Sequence, residues 1–78
     1  MSLKRPQYPM PDFVASALHD EGLADAYAAR PPYQRNDYLG WITRAKRDET
    51  KAKRLRQMLD ELAAGDSYMR MAWSGKNR

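Results

Sequence analysis

The placement of prolines is the strongest constraint on how this chain can fold. Three prolines fall within the first eleven residues, and Pro31 and Pro32 are adjacent further along. Proline fixes φ, removes a backbone donor and pushes the residue before it out of the α region. We therefore predict an extended arm over residues 1–11, with Tyr8 and Met10 as its docking points, and a helix break at Pro31.

Between the arm and this break, the spacing of apolar residues predicts two short helices. The first follows Asp12, and Gly22 stands where a left-handed C-terminal cap is needed. Its apolar positions are Phe13, Val14, Ala17 and Leu18. The second helix ends near Arg30, and its apolar positions are Leu23, Ala26 and Tyr27. Both are shorter than the roughly 12–15 residues that an isolated helix needs, so their stability must come from packing.

Pro32 is predicted to open a third helix, because proline is well tolerated at the first helical position. At 100° per residue, one face of this helix collects the apolar residues Tyr38, Trp41, Ile42 and Ala45. Gly40 falls on the outer side, where an interior glycine costs about 1 kcal/mol relative to alanine. It either allows close approach of a partner backbone or is merely tolerated, and tolerance is the favoured interpretation.

A fourth helix is predicted from Asp48, as N-cap, to Gly65, as C-cap. Its apolar stripe consists of Ala52, Leu55, Leu59, Leu62 and Ala63. With no β alternation and no internal repeat, the predicted fold is a small all-α bundle of four helices. The chain divides into the arm, a helical domain over residues 12–65, and a partly disordered tail over residues 66–78, with Gly75–Arg78 frayed.

Composition excludes most site chemistry. The chain of 78 residues has no cysteine, and His19 is its single histidine. A disulfide framework, a thiolate zinc site, a thiol nucleophile and a multi-histidine metal site are thereby excluded. The sequence carries no glycine-rich phosphate loop and no nucleophile elbow. We expect no catalytic role, no metal and no cofactor.

No stretch of 18 apolar residues is present, and no apolar segment follows the charged N-terminus. The sequence therefore predicts no membrane span and no secretory signal, which makes the cytoplasm the expected location.

Positive charge is concentrated in one part of the chain. Residues 30–56 carry nine basic and three acidic side chains, while residues 1–29 carry two and four. Such a block is typical of nucleic-acid or anionic-lipid binders. The candidate polyanion-binding residues are Arg44, Lys46, Arg47, Lys51 and Arg54. However, helical geometry spreads the cations over the polar side, and acids stand four residues away in Glu49–Lys53 and Arg56–Asp60. A solvated face with weak ion pairs is therefore the favoured interpretation.

The tail carries a second candidate site. Its apolar residues are Tyr68, Met69, Met71 and Trp73. They either fold back on the bundle or remain exposed as candidate residues for binding a protein partner.

The run from Tyr38 to Leu55 resembles the signature of the bacteriocin-protection, YdeI or OmpD-associated family. That signature is an aromatic-x-x-Trp-Ile, then Ala-Lys, then Glu-Thr-(Arg/Lys)-x-(Arg/Lys)-Arg. The opening Pro11–Leu18 and the Pro31-Pro32 break also fit, so the resemblance covers roughly residues 11–65. It implies a small helical domain, usually at the C-terminal end of longer bacterial proteins, linked to tolerance of antimicrobial peptides and to an outer-membrane porin. It brings no catalytic residue and no cofactor.

Two function classes follow from these observations. The favoured one is a non-catalytic protein-interaction module with an unidentified protein partner and a role in stress protection. The alternative is weak, sequence-nonspecific binding of nucleic acid or another polyanion through residues 44–56.

Overall fold

The computed structural model describes residues 8–65, 67–69 and 71–72. Its helices are α1 (Asp12–Asp20), α2 (Ala24–Ala28), α3 (Pro32–Arg44) and α4 (Asp48–Ala64). Two short strands follow, β1 (Ser67–Tyr68) and β2 (Met71–Ala72). The predicted all-α bundle of four helices is confirmed. The expectations for Trp73 and for fraying at Gly75–Arg78 lie outside the described residues.

The turns between helices follow the predicted glycine and proline chemistry. Gly22 and Gly65 adopt φ values of +68° and +84°, the left-handed conformation that ends α1 and α4. Pro31 is extended, and its carbonyl accepts the amides of Gln34 and Arg35 at 3.0 and 3.2 Å, so α3 begins at Pro32 as predicted. One cap differs from the prediction, because Arg47 precedes α4 in extended conformation and Asp48 is the first helical residue.

The core lies where the four helices meet. The buried apolar side chains are Val14 and Leu18 of α1, Tyr27 of α2, Tyr38, Leu39 and Ile42 of α3, and Met58, Leu59 and Leu62 of α4. Helix α3 is the central element, since residues on several of its sides are buried. Trp41, predicted on its apolar face, is only partly buried against this core.

The buried face of α4 differs from the predicted stripe. Ala52 and Ala63 are exposed, whereas Met58 and Glu61 are buried. The helix is thus turned by roughly 70° from the predicted orientation, using 100° per residue. Burying Met58 removes more apolar surface from water than burying either alanine, which favours this orientation.

Gly40 is where the N-terminal arm packs onto α3, and the prediction that it is merely tolerated on an outer face is wrong. A Cβ atom built at Gly40 would lie 2.6 Å from Cε2 of Tyr8. The amide of Tyr8 donates to Oδ1 of Asn36 at 3.0 Å. Tyr8 is therefore a docking point of the arm, as predicted, while Met10 is exposed.

After Gly65 the chain turns back in a two-stranded antiparallel pair that the sequence did not predict. Ser67 pairs with Ala72, and Tyr68 pairs with Met71. Met69, between the strands, has a φ of +51°. Across residues 8–65, 67–69 and 71–72, every helix is too short or too polar to cross a lipid bilayer.

Candidate functional site

The candidate polyanion-binding residues do not share one environment. Arg44, Lys46 and Arg47 are exposed around the loop that joins α3 and α4. Arg44 Nη1 lies 3.4 Å from the hydroxyl of Tyr8, and Arg47 Nη1 lies 3.6 Å from Oε2 of Glu49. Both contacts are long and solvent-exposed, so these cations remain accessible to an anion.

Arg54 occupies a different position, between α3 and α4. Its Nη1 donates to the backbone carbonyl of Trp41 at 2.6 Å, and its guanidinium carbon lies 5.3 Å from the centroid of the Trp41 ring. The roughly 70° turn of α4 brings Arg54 and Lys51 from the predicted polar side towards α3. Both are partly buried, so the predicted set does not form one exposed surface.

Ion pairs on α4 follow the predicted pattern in one case and depart from it in another. Arg56 Nε donates to Oδ1 of Asp60 at 3.0 Å, as predicted. Arg56 also forms a bidentate contact with Glu21, at 2.7 and 2.8 Å, which ties the end of α1 to α4. This contact lowers the pKa of the Glu21 carboxyl and raises the pKa of Arg56. Glu49 approaches Arg47 and not the predicted Lys53.

The candidate partner-binding residues of the tail fold back on the bundle where the structure describes them. Tyr68 donates its hydroxyl hydrogen to Oδ2 of Asp37 at 2.7 Å, and its ring makes edge contacts with Tyr33 and Tyr38. Met69 is half-buried, and Met71 pairs with Tyr68 through the strand. Trp73 lies outside the described residues. Tyr68 and Met69 thus have a structural role in holding the tail.

A buried polar cluster holds this tail, and sequence reasoning missed it. Glu61, only 6% exposed, accepts hydrogen bonds from the hydroxyl of Tyr38, from the amide of Met69 at 2.8 Å and from the side chain of Gln57 at 3.2 Å. Burial, and then the Glu61 contact, raise the pKa of Tyr38 well above its usual range. Tyr38 is therefore a neutral donor.

Arg30 belongs to the same cluster and contacts the backbone of Glu61. Its guanidinium donates to the Glu61 carbonyl oxygen at 3.0 Å and to Oε1 of Gln34 at 3.1 Å. Both Arg30 and Gln34 are buried. The sequence feature that could have predicted this cluster is Gln34, which lies at the centre of the apolar face of the third helix. A polar side chain buried at such a position must find a hydrogen-bond partner.

His19 lies at the surface, near the end of α1. Its side chain is 90% exposed, and Nδ1 lies 3.6 Å from Oδ1 of Asp20. His19 is therefore a solvent-exposed side chain in the last turn of the helix.

Two surface concavities are lined by residues that the structure describes. A shallow groove of about 470 Å³ along α4 is lined by charges of both signs, with Lys53 and Arg56 opposite Asp60 and Glu61. A smaller cavity of about 200 Å³ lies between the arm, α2 and α3. Its lining residues are Tyr8, Tyr27, Pro32, Arg35, Asn36 and Leu39. The Nε of Arg35 is buried there without a hydrogen-bond partner among the described residues. A buried donor left in this state costs about 1–3 kcal/mol, and more when it carries charge.

Comparison with known proteins agrees with the resemblance seen in the sequence. Neither the curated proteins nor the solved structures gave a significant match to the chain. The family model described as "Bacteriocin-protection, YdeI or OmpD-Associated" matches residues 7–65. This range includes the docked Tyr8, all four helices and the Gly65 cap. The chain therefore belongs to the bacteriocin-protection, YdeI or OmpD-associated family.

Proposed function

We propose that this domain is a non-catalytic protein-interaction module that contributes to protection against stress. The observation that carries the proposal is the exposure of two large apolar side chains, Met10 and Phe13, at 37% and 43%. They stand three residues apart where the arm enters α1. Exposed large apolar side chains near each other in the chain can contribute to a binding surface.

The negative charge around Met10 and Phe13 indicates what kind of partner surface would bind there. The exposed Asp12 stands between Met10 and Phe13, and the first 29 residues carry an excess of acidic side chains. A partner with an apolar contact surrounded by basic groups would complement this surface. The family description, which names bacteriocin protection and association with OmpD, supports a protective role exercised through binding.

A matched pair of surface variants tests this proposal. Phe13 and Ala15 are both exposed on α1, so Phe13→Ser and Ala15→Ser change the same region without opening the core. The tagged full chain is expected to co-purify with a specific protein from the cells that make it. That protein should also bind the purified chain, and Phe13→Ser should abolish binding while Ala15→Ser retains it. Equal binding by both variants would contradict the proposal.

A cytoplasmic location is part of the same proposal. Fractionation of cells that express the full chain should recover it with the cytoplasmic proteins. Recovery with the membrane or extracellular fraction would contradict this location.

Weak polyanion binding is the second candidate function, and the exposed cations Arg44, Lys46 and Arg47 favour it. Titration of labelled duplex DNA should give a log–log salt slope near −0.9 for each phosphate contact. The double variant Lys46→Gln/Arg47→Gln should reduce that slope, whereas Lys53→Gln, which removes an exposed cation outside the candidate set, should change it less. Absence of binding at about 50 mM salt would exclude this function.

A further inference from the structure

The cavity between the arm, α2 and α3 is lined by the cation Arg35, which forms no ion pair with the residues that the structure describes. Arg35 is the only charged residue among the described residues that line it. Its Nε is buried and lacks a hydrogen-bond partner within the described part of the chain. This differs from Arg30, Arg54 and Arg56, whose guanidinium groups each donate to an oxygen.

The neighbours of Arg35 favour an anion over a cation. Burial raises the pKa of Tyr27, while the positive charge of Arg35 acts in the opposite direction. The Tyr27 hydroxyl is therefore neutral near pH 7 and able to donate a hydrogen bond. Pro32 and Arg35 also lie in the first turn of α3, at the positive end of the helix dipole.

From this arrangement we infer that the cavity is a binding site for a small oxyanion, a carboxylate or a phosphate group, held by Arg35. The Nη groups of a guanidinium can donate to two oxygens of either group in a bidentate contact. The volume of about 200 Å³ lies below the roughly 300–1,000 Å³ typical of sites for drug-sized ligands. The site would therefore accept a small anion or the anionic end of a larger molecule. It does not rest on the proposed protein-interaction function.

Nuclear magnetic resonance of the full chain tests the inference at the Arg35 guanidinium itself. We expect the Nε–Hε signal of Arg35 to shift and saturate as sodium phosphate or sodium acetate is added, with sodium chloride keeping the ionic strength constant. A dissociation constant on the order of 1 mM is expected. Saturation by phosphate alone would assign the site to phosphate-bearing ligands, and saturation by acetate alone to carboxylates.

Two variants distinguish anion binding in this cavity from general electrostatic attraction to the basic chain. Arg35→Gln should weaken binding about tenfold or more, because a charge-assisted bidentate contact is lost. Lys53→Gln removes one positive charge from an exposed position outside the candidate polyanion-binding set and should leave the affinity unchanged. The Arg35 signal is measured in the unaltered chain, so the result does not depend on the folding of Arg35→Gln. An Arg35 signal that does not move, or a shift that never saturates, would overturn the inference.

Discussion

Two charged regions of this molecule differ in where their charges are held. Around Glu61, charged and polar side chains from the α2–α3 joint, α3 and α4 are buried or partly buried and bonded to one another. Around the loop between α3 and α4, Arg44, Lys46 and Arg47 extend into solvent with only long contacts. A count of charges along the sequence does not reveal this difference in burial.

The difference shows that the cost of dehydration decides what a charge does. A buried carboxylate must be matched by donors, so Glu61 fixes the positions of Tyr38 and the Met69 amide. An exposed cation keeps its water and contributes little to stability through single ion pairs. Removing charges from the first region should therefore destabilise the fold, and removing them from the second should alter only binding.

The largest expected effect is at Glu61. Glu61→Ala would leave the Tyr38 hydroxyl and the Met69 amide without their acceptor, and we expect a loss of about 3 kcal/mol in the free energy of unfolding. Asp60→Ala is the matched control, because Asp60 is the adjacent acidic residue but is exposed, and it should change stability little. Urea unfolding measures both variants. Equal losses of free energy of unfolding in the two variants would show that burial of Glu61 adds nothing to its contribution to stability.

A smaller effect is expected at Arg54, which lies at the boundary of the basic region. Arg54→Ala removes the hydrogen bond to the Trp41 carbonyl and the contact with its ring, and should lower the free energy of unfolding by about 1–3 kcal/mol. Lys53→Ala, at an exposed neighbouring position, should have almost no effect. Measurement in a Trp73→Phe background makes Trp41 the fluorescent reporter. Equal free energies of unfolding for the two variants would show that Arg54, like the solvated cations, contributes little to stability.

The phenol of Tyr38, which belongs to the buried region, should make the stability of the chain depend on pH. The pKa of Tyr38 is raised by burial and by Glu61, so the folded state holds a proton that the unfolded state loses near pH 10. The corresponding stability is fully present below about pH 10 and declines as the pH rises further. In unfolding measured from about pH 8 to pH 11, Tyr38→Phe should flatten this decline. An unchanged slope would indicate that Tyr38 ionises equally in both states.

The smallest effect on global stability is expected at Gly40. Gly40→Ala gains about 1 kcal/mol of helix propensity but places a Cβ against the Tyr8 ring, so the two changes oppose each other. The free energy of unfolding should change by less than about 1 kcal/mol. Hydrogen exchange of the Tyr8 amide should nevertheless accelerate, because the arm is displaced from Asn36. Unchanged protection of this amide would show that the arm does not depend on Gly40.

Local sequence chemistry predicted most of the fold. Gly22, Pro32 and Gly65 set turns whose backbone requirements depend on the residue itself, so they could be assigned without tertiary contacts. The orientation of α4 could not be assigned in this way, because Met58 and Glu61 are buried only through contacts with other elements. The same reason explains Gly40, whose role depends on Tyr8, 32 residues earlier.

The candidate site was less predictable than the fold. Arg30 and Arg35 count as members of the basic segment, yet one is buried with partners and the other has a buried Nε without one. Only the three-dimensional surroundings distinguish them. The resemblance of the Tyr38–Leu55 run to the family came from residue identities alone, and the family match over residues 7–65 confirmed it.

The bond from Arg30 to the Glu61 carbonyl has a consequence for how α4 is completed. The last turn of α4 has no basic residue of its own, and its carbonyl groups form the negative end of the helix dipole. Arg30 supplies the missing cation from 31 residues earlier in the chain. The C-terminal turn of α4 is therefore stabilised by the joint between α2 and α3, so that loosening of this joint should also loosen the end of α4.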